Sequence, residues 1–91
     1  MFDWDEGNLD HIAEHGLLPE EVEEALLDPW RVAATAYQVP GERRRAALGA
    51  TAIGRLLFVV FIRRGTLLRV VTARDATTRE KSQYRRRRPG G

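Results

Sequence analysis

The sequence predicts an α+β domain: two N-terminal helices, an antiparallel meander of three to four strands, and a C-terminal helix, with one sheet face covered by helix. Three observations predict it. Apolar residues recur at helical spacing up to Leu27 and at strand spacing from Trp30 to Arg74. Short segments carrying Gly or Pro (Gln38–Glu42, Ala50–Gly54 and Arg64–Gly65) divide the middle of the chain into hairpin-connected runs. The chain has 91 residues, 43% of them hydrophobic, enough for one modest core and too few for two. Residues 1–88 are therefore read as a single domain and 89–91 as a frayed tail.

The elements follow in order. Met1–Trp4 alternates apolar and polar residues and is read as a short edge strand. Asn8–His15 carries Leu9, Ile12 and Ala13 at i, i+3, i+4 spacing, with Gly16 as a natural C′ residue. Pro19–Leu27 is a second helix. Pro19 suits N1, Glu20 and Glu21 suit the positive end of the dipole, and Val22, Ala25 and Leu26 form the buried stripe. Its Ncap position is Leu18, which has no side-chain acceptor, a loss of ~1 kcal/mol against a Ser or Thr cap. Asp28–Pro29 stops it. Trp30–Tyr37 and Arg43–Gly49 are strands. Arg55–Arg63 is apolar on both faces, the pattern of a central strand. Thr66–Arg74 is the last strand; strict alternation places Leu68, Val70, Thr72 and Arg74 on one face and Leu67, Arg69, Val71 and Ala73 on the other. Thr77 or Thr78 caps a C-terminal helix running to about Arg87.

Charge is divided along the chain. Residues 1–28 hold ten acids and no Lys or Arg, a formal −10. Residues 29–91 hold all fifteen basic residues, fourteen of them arginine, against three acids, a formal +12. That asymmetry points to a polyanionic partner. The absence of cysteine excludes a disulfide scaffold, a thiolate zinc site and a cysteine nucleophile. The longest apolar run, Leu56 to Ile62, is far short of the ~20 residues a membrane span needs. No basic segment followed by an apolar stretch opens the chain, so the expected location is cytoplasmic, with no membrane partner.

Four groups of residues carry potential chemistry. The first is the arginine set Arg44, Arg45, Arg55, Arg69, Arg74 and Arg79, with Lys81 and Tyr84 close in sequence. Arg69 and Arg74 interrupt a strand otherwise made of Leu, Val and Ala, so each guanidinium needs a partner. That partner is either an acid of the first half, such as Asp5 or Glu14, or a phosphate gripped bidentately. The second is Arg85–Arg88, a solvated helix end or a source of sequence-independent phosphate contacts. The third is His11 and His15, at metal-binding i, i+4 spacing but with no third ligand marked by pattern. His15 also suits a helix C-terminus or a proton-transfer role. The fourth is Trp4, Trp30 and Tyr84: Trp4 and Trp30 are read as core, and Tyr84 is open between core and base stacking. No phosphate-binding Gly loop, Ser-His-Asp set or dinucleotide fingerprint is present.

Taken in order, Phe2-Asp-Trp4-Asp5-Glu-Gly-Asn8, His11-Ile-Ala-Glu-His15-Gly16 and Pro19-Glu-Glu-Val-Glu-Glu resemble the N-terminus of BrnT-family toxins. Ala47-Leu48-Gly49, Gly54-Arg55-Leu-Leu-Phe-Val-Val, Arg69-Val-Val-Thr-Ala73-Arg74-Asp75, and Thr78-Arg79-Glu80 with Tyr84 continue the resemblance over about residues 2–85. Leu18 stands where relatives often carry a capping Thr, and Ala76 where many carry Met.

The resemblance implies a RelE-like ribonuclease fold and the toxin half of a type II toxin–antitoxin pair. Such a toxin cuts RNA, inhibits translation, and is neutralised by a small DNA-binding antitoxin. It implies a catalytic set of Arg44, Arg69, Arg74, Arg79, His15 and Tyr84. Arg45, Arg55, Lys81, Arg85 and Arg86 would add RNA contacts, with Lys81 and Glu80 as further proton-transfer candidates. No cofactor or metal is expected, and a homodimer or a hetero-oligomer with the antitoxin is. The competing readings are a non-catalytic module that keeps only the antitoxin- or nucleic-acid-binding surface, and a metal-dependent hydrolase built on His11 and His15.

Overall fold

A computed structural model describes residues 1–87; the tail expected at 89–91 lies outside the described residues. These residues form α1 (Glu6–Ala13), α2 (Pro19–Leu27), β1 (Val32–Ala34), β2 (Arg45–Ala50), β3 (Leu56–Arg64), β4 (Leu67–Asp75) and α3 (Thr78–Arg87). The strands pair antiparallel in the order β1-β2-β3-β4, the meander that the hairpin signals predict. Gly54 and Gly65 hold positive φ in the two tight connections, a conformation glycine adopts without penalty.

The first helix begins two residues earlier than its apolar pattern suggests. Asp5 caps it reciprocally with Asn8: the Asn8 amide donates to Asp5 Oδ1 at 3.1 Å, and the Asp5 amide to Asn8 Oδ1 at 2.8 Å. Asn8 is also buried, and its side-chain amide donates to the carbonyls of Asp3 and Val70. One residue thus ties the N-terminal segment, α1 and β4 together. That segment is no isolated edge strand. Phe2 bridges Leu68 in parallel, on the free side of β4. In α2, Leu18 offers no side-chain cap, but its own amide donates to Glu21 Oε1 at 2.9 Å, which supplies half of a capping box.

The expected strand Trp30–Tyr37 shrinks to three residues. Its start is drawn into a turn where the Trp30 amide donates to Asp28 Oδ1. Its end is drawn away by Gln38, whose side chain donates to the carbonyls of Ala36 and Arg44 and accepts from the Arg44 amide. Sheet hydrogen bonding is replaced there by one side-chain amide. Trp30, expected in the core, projects from the turn and is 44% exposed. Trp4 does pack against the core, with its indole N–H donating to Glu23.

Helices cover both sheet faces, not one. On the first face, Ile12, Leu17, Val22, Ala25 and Leu26 pack on Ala47, Leu57, Val59, Val70 and Ala73. On the other, Tyr84 and Ala76 pack on Val32 and Leu48. Ala47 and Leu48 are sequence neighbours on opposite faces, as strand alternation requires. Leu57 and Leu48 are completely buried, and each such side chain contributes about 1.5–3 kcal/mol. At Gly49 any Cβ would stand 2.0 Å from the Ala25 carbonyl oxygen, so only glycine lets α2 lie this close to β2.

Strict alternation along β4 fails at one point. Phe61 pairs with Val70 and Val60 with Thr72, so Val71 is an extra residue, a β-bulge. Val70 and Ala73 consequently both enter the first core. Arg69, opposite Ile62, and Arg74, opposite Phe58, come to share the other face, because Phe58 and Ile62 lie an even number of residues apart on unbulged β3. The sequence places these two arginines on opposite faces; the bulge brings them together.

Candidate nucleic-acid interface

The α3 face of the sheet holds the densest group of predicted site residues. Arg74 sits near the end of β4 with its guanidinium 4.3 Å above the Phe58 ring. Its two terminal nitrogens donate to the two Glu80 oxygens at 2.7 and 3.0 Å, and Nη1 also to the Asp75 carbonyl at 3.1 Å. Glu80 has a second task. Its Oε1 accepts from the Thr77 amide while Thr77 Oγ1 accepts from the Glu80 amide, a capping box that fixes the start of α3. The Arg74 hydrogen bonds hold the Glu80 carboxyl below its ordinary range, and Glu80 raises Arg74 in return.

Beside this pair opens a cleft of about 580 Å³, lined by Phe58, Ala34, Arg79, Glu80, Gln83 and Arg87. Arg79 is exposed and makes no ion pair or side-chain hydrogen bond among the described residues. A paired guanidinium on an aromatic floor thus lies next to an unpaired one at the cleft wall. Such an arrangement grips a phosphate and stabilises charge that develops on it.

The other predicted residues are distributed around this cleft or away from it. Arg69 shares the face but pairs with Asp5 at 2.8 Å and Asp3 at 3.6 Å, the internal acid partner considered for it. Asp5 is held low first by the Asn8 amide and then by Arg69. Arg44 precedes β2 and pairs with Glu42 at 2.9 Å. Arg55 donates bidentately to Asp75 at 2.7 and 3.0 Å, and reaches Glu21 and the Gly16 carbonyl at 3.3 Å. It thereby fastens the α1–α2 connection to the end of β4. Asp75 is held low mainly by Arg55, with smaller contributions from Lys81 and His15. His15 is exposed at this end of the molecule, and His11 Nδ1 contacts the Val71 carbonyl at 3.2 Å. Among the described residues no three of His, Asp and Glu converge as metal ligands.

Tyr84 is buried, and its hydroxyl donates to Asp28 Oδ2 at 2.5 Å. It serves the packing of α3, the core side of the alternatives open to it. Tyr84, Arg55, Asp75, Lys81 and Arg85 line a second cleft of about 370 Å³. Arg86 is exposed on α3, and Arg88 lies outside the described residues. Arg45 is exposed at the far end of the sheet, in a hollow of about 490 Å³ shared with Arg43, Arg63 and Arg64. Those three, with Phe58 and Gln83, are the lining residues that sequence reasoning missed; Arg87 belongs to the Arg85–Arg88 run already singled out. Arg63 and Arg64 looked like strand end and turn, and no pattern in one sequence reveals that Arg43 and Arg45 stand beside them.

No helix among the described residues is long and apolar enough to cross a membrane. No curated protein matches the chain. A family model described as the ribonuclease toxin, BrnT, of type II toxin–antitoxin systems matches residues 4–80. With that match over most of the domain, and the α+β meander and arginine-lined face in place, the chain belongs to the BrnT toxin family.

Proposed function

We propose that this chain is a RelE-like endoribonuclease toxin that cuts RNA in the cytoplasm without a metal and so inhibits translation. A cognate DNA-binding antitoxin neutralises it, in a hetero-oligomer. The observation that carries the reading is the cleft lined by Phe58, Glu80 and the unpaired Arg79, with Arg74 beside it, paired to Glu80 and stacked over the Phe58 ring. Its charged groups are guanidiniums and one arginine-held carboxylate, a set suited to phosphate and not to coordination of a cation.

In the reaction the ribose 2′-oxygen attacks the adjacent phosphorus and the P–O5′ bond breaks. The products are a 2′,3′-cyclic phosphate and a 5′-hydroxyl. Glu80, ionised at neutral pH, accepts the 2′-hydroxyl proton, and water protonates the departing 5′-oxygen. A carboxylate held this low is a weak base, so proton transfer contributes little. Most of the acceleration comes from Arg74 and Arg79, which bind the phosphate and stabilise the extra charge of the phosphorane. Arg69, on the same face, and Arg44 contribute only by exchanging their internal carboxylates for phosphate. Arg55, Lys81, Arg85 and Arg86 add phosphate contacts outside the cleft, whereas Arg45, expected among them, lies on the opposite sheet face.

Expression of the chain alone should arrest growth and degrade RNA, and the pure protein should cleave RNA equally with and without EDTA. Survival of the cells, with no cleavage by pure protein, would favour the non-catalytic module, whose arginines Arg44, Arg69 and Arg74 would then serve only their internal carboxylates. Loss of cleavage in EDTA, restored by Zn²⁺, would favour the metal-dependent reading.

A further inference from the structure

We infer that the groove at the C-terminal end of α2 docks an acidic, amphipathic segment of the antitoxin. The inference rests on membership of a toxin–antitoxin family and not on the catalytic reading. The groove has a volume of about 420 Å³, with Leu27, Phe61 and Leu68 among its apolar residues and Arg31, Arg45 and Arg63 among its charged ones. Leu27 is 58% exposed, a large apolar side chain left in water at the end of a helix. Arg31 donates to the Asp28 carbonyl. Arg45 and Arg63 make no ion pair or side-chain hydrogen bond among the described residues. Both also line the neighbouring hollow with Arg43 and Arg64, so the basic rim continues beyond the groove.

This surface is separate from the RNA cleft. Phe61 packs against the α1–α2 core, and Arg45 pairs with it in register, so both lie on the face opposite Phe58 and Arg74. Along β3, Arg63 lies five residues from Phe58, roughly 16 Å at strand rise.

The lining chooses between a peptide and RNA. A single strand of RNA is held by basic groups and exposed rings that stack on bases. Here the exposed large apolar side chains are Met1 and Leu27, while the Phe61 ring is partly buried against the core, and RNA seated on them would leave Leu27 without an apolar partner. A protein segment with apolar side chains facing the groove and carboxylates facing Arg45 and Arg63 satisfies both features, as buried anchors with a polar rim do at protein interfaces. Glu42 lines the neighbouring hollow but pairs with Arg44, and among the described residues no carboxylate pairs with Arg45 or Arg63, so the docking segment supplies the acids.

The test uses the full chain, the antitoxin encoded beside its gene, and the double variant Leu27→Glu/Arg63→Glu. Neither position belongs to the RNA cleft. The expected result is antitoxin affinity weakened at least about 30-fold, with melting temperature and RNA cleavage unchanged and toxicity no longer suppressed by the antitoxin. Should the double variant misfold, Arg63→Glu alone reads the same loss more weakly. Antitoxin affinity within threefold of wild type would overturn the inference. So would a loss of RNA binding in place of antitoxin binding, or conversion of a dimer to a monomer with antitoxin affinity intact. The last outcome would assign the groove to a second copy of the chain. A wild-type chain that binds antitoxin through this groove but cuts no RNA would leave the inference standing and remove only the catalytic reading.

Discussion

Asp28 and Tyr84 are 56 residues apart in sequence and joined by a buried hydrogen bond. The Asp28 carboxylate also accepts from the amides of Ala50 and Trp30, so it links α2, β1, β2 and α3 at one point. Asp28→Ala should cost about 3 kcal/mol in urea unfolding, because buried donors lose their acceptor, whereas Tyr84→Phe should cost only about 1–2 kcal/mol. Equal, negligible costs would show the cluster to be unimportant. Glu80 sits at the same scale and titrates. Its folded-state carboxyl lies below its ordinary 4.5. The stability it contributes is therefore fully present above that value and is lost as pH falls through the depressed folded value. The stability gap between wild type and Glu80→Gln should be constant from neutral pH down to about pH 5 and close toward pH 3. A gap as wide at pH 3 as at pH 7 would contradict the Arg74–Glu80 assignment.

Elements show what one sequence carries and what it hides. Helix α2 was legible to the residue, because Pro19, two glutamates and an apolar stripe all agree. The start of α1 was not, because its cap is a reciprocal Asp5–Asn8 pair ahead of the apolar pattern. The order of the strands was legible from turn residues. The truncation of β1 was not, because it depends on where one Gln38 amide reaches. The same limit applies to the site. Arginine stood out as the residue type able to hold phosphate, but the partners of Arg55, Arg69 and Arg74 come from elements brought together only by folding. The Val71 bulge is likewise invisible in a run of β-formers, yet it decides that Arg69 and Arg74 share a face. Packing at this scale is tight where α2 meets β2. Gly49→Ala forces a Cβ against the Ala25 carbonyl and should cost at least about 2 kcal/mol in the same unfolding measurement. Wild-type stability in that variant would mean that α2 does not lie on Gly49.

Across the whole molecule, the near-neutral net charge of +2 conceals two surfaces. The exposed acids Glu6, Asp10, Glu14, Glu20 and Glu24 belong to the α1–α2 layer, and the unpaired cations gather on α3 and at the far end of the sheet. Folding also sorts the arginines. Among the described residues, Arg44, Arg55, Arg69 and Arg74 hold carboxylates, while Arg43, Arg45, Arg63, Arg64, Arg79 and the α3 arginines face solvent without an acid partner. Binding of a single-stranded nucleic acid should accordingly weaken with salt. Contact with about four phosphates gives a log–log slope of roughly −3, and a slope near zero would exclude phosphate as the ligand. Arg79 and the Arg74–Glu80 pair are proposed to cut RNA through the 2′-oxygen. The most direct test is single-turnover cleavage of a short RNA in EDTA, comparing wild type, Arg79→Ala, and wild type on the same strand with 2′-deoxyribose at the cleaved position. Wild type should give cyclic-phosphate product, Arg79→Ala a rate at least about 100-fold lower at unchanged melting temperature, and the deoxy strand no cut. Cleavage at the wild-type rate by Arg79→Ala, or of the deoxy strand, would contradict this mechanism.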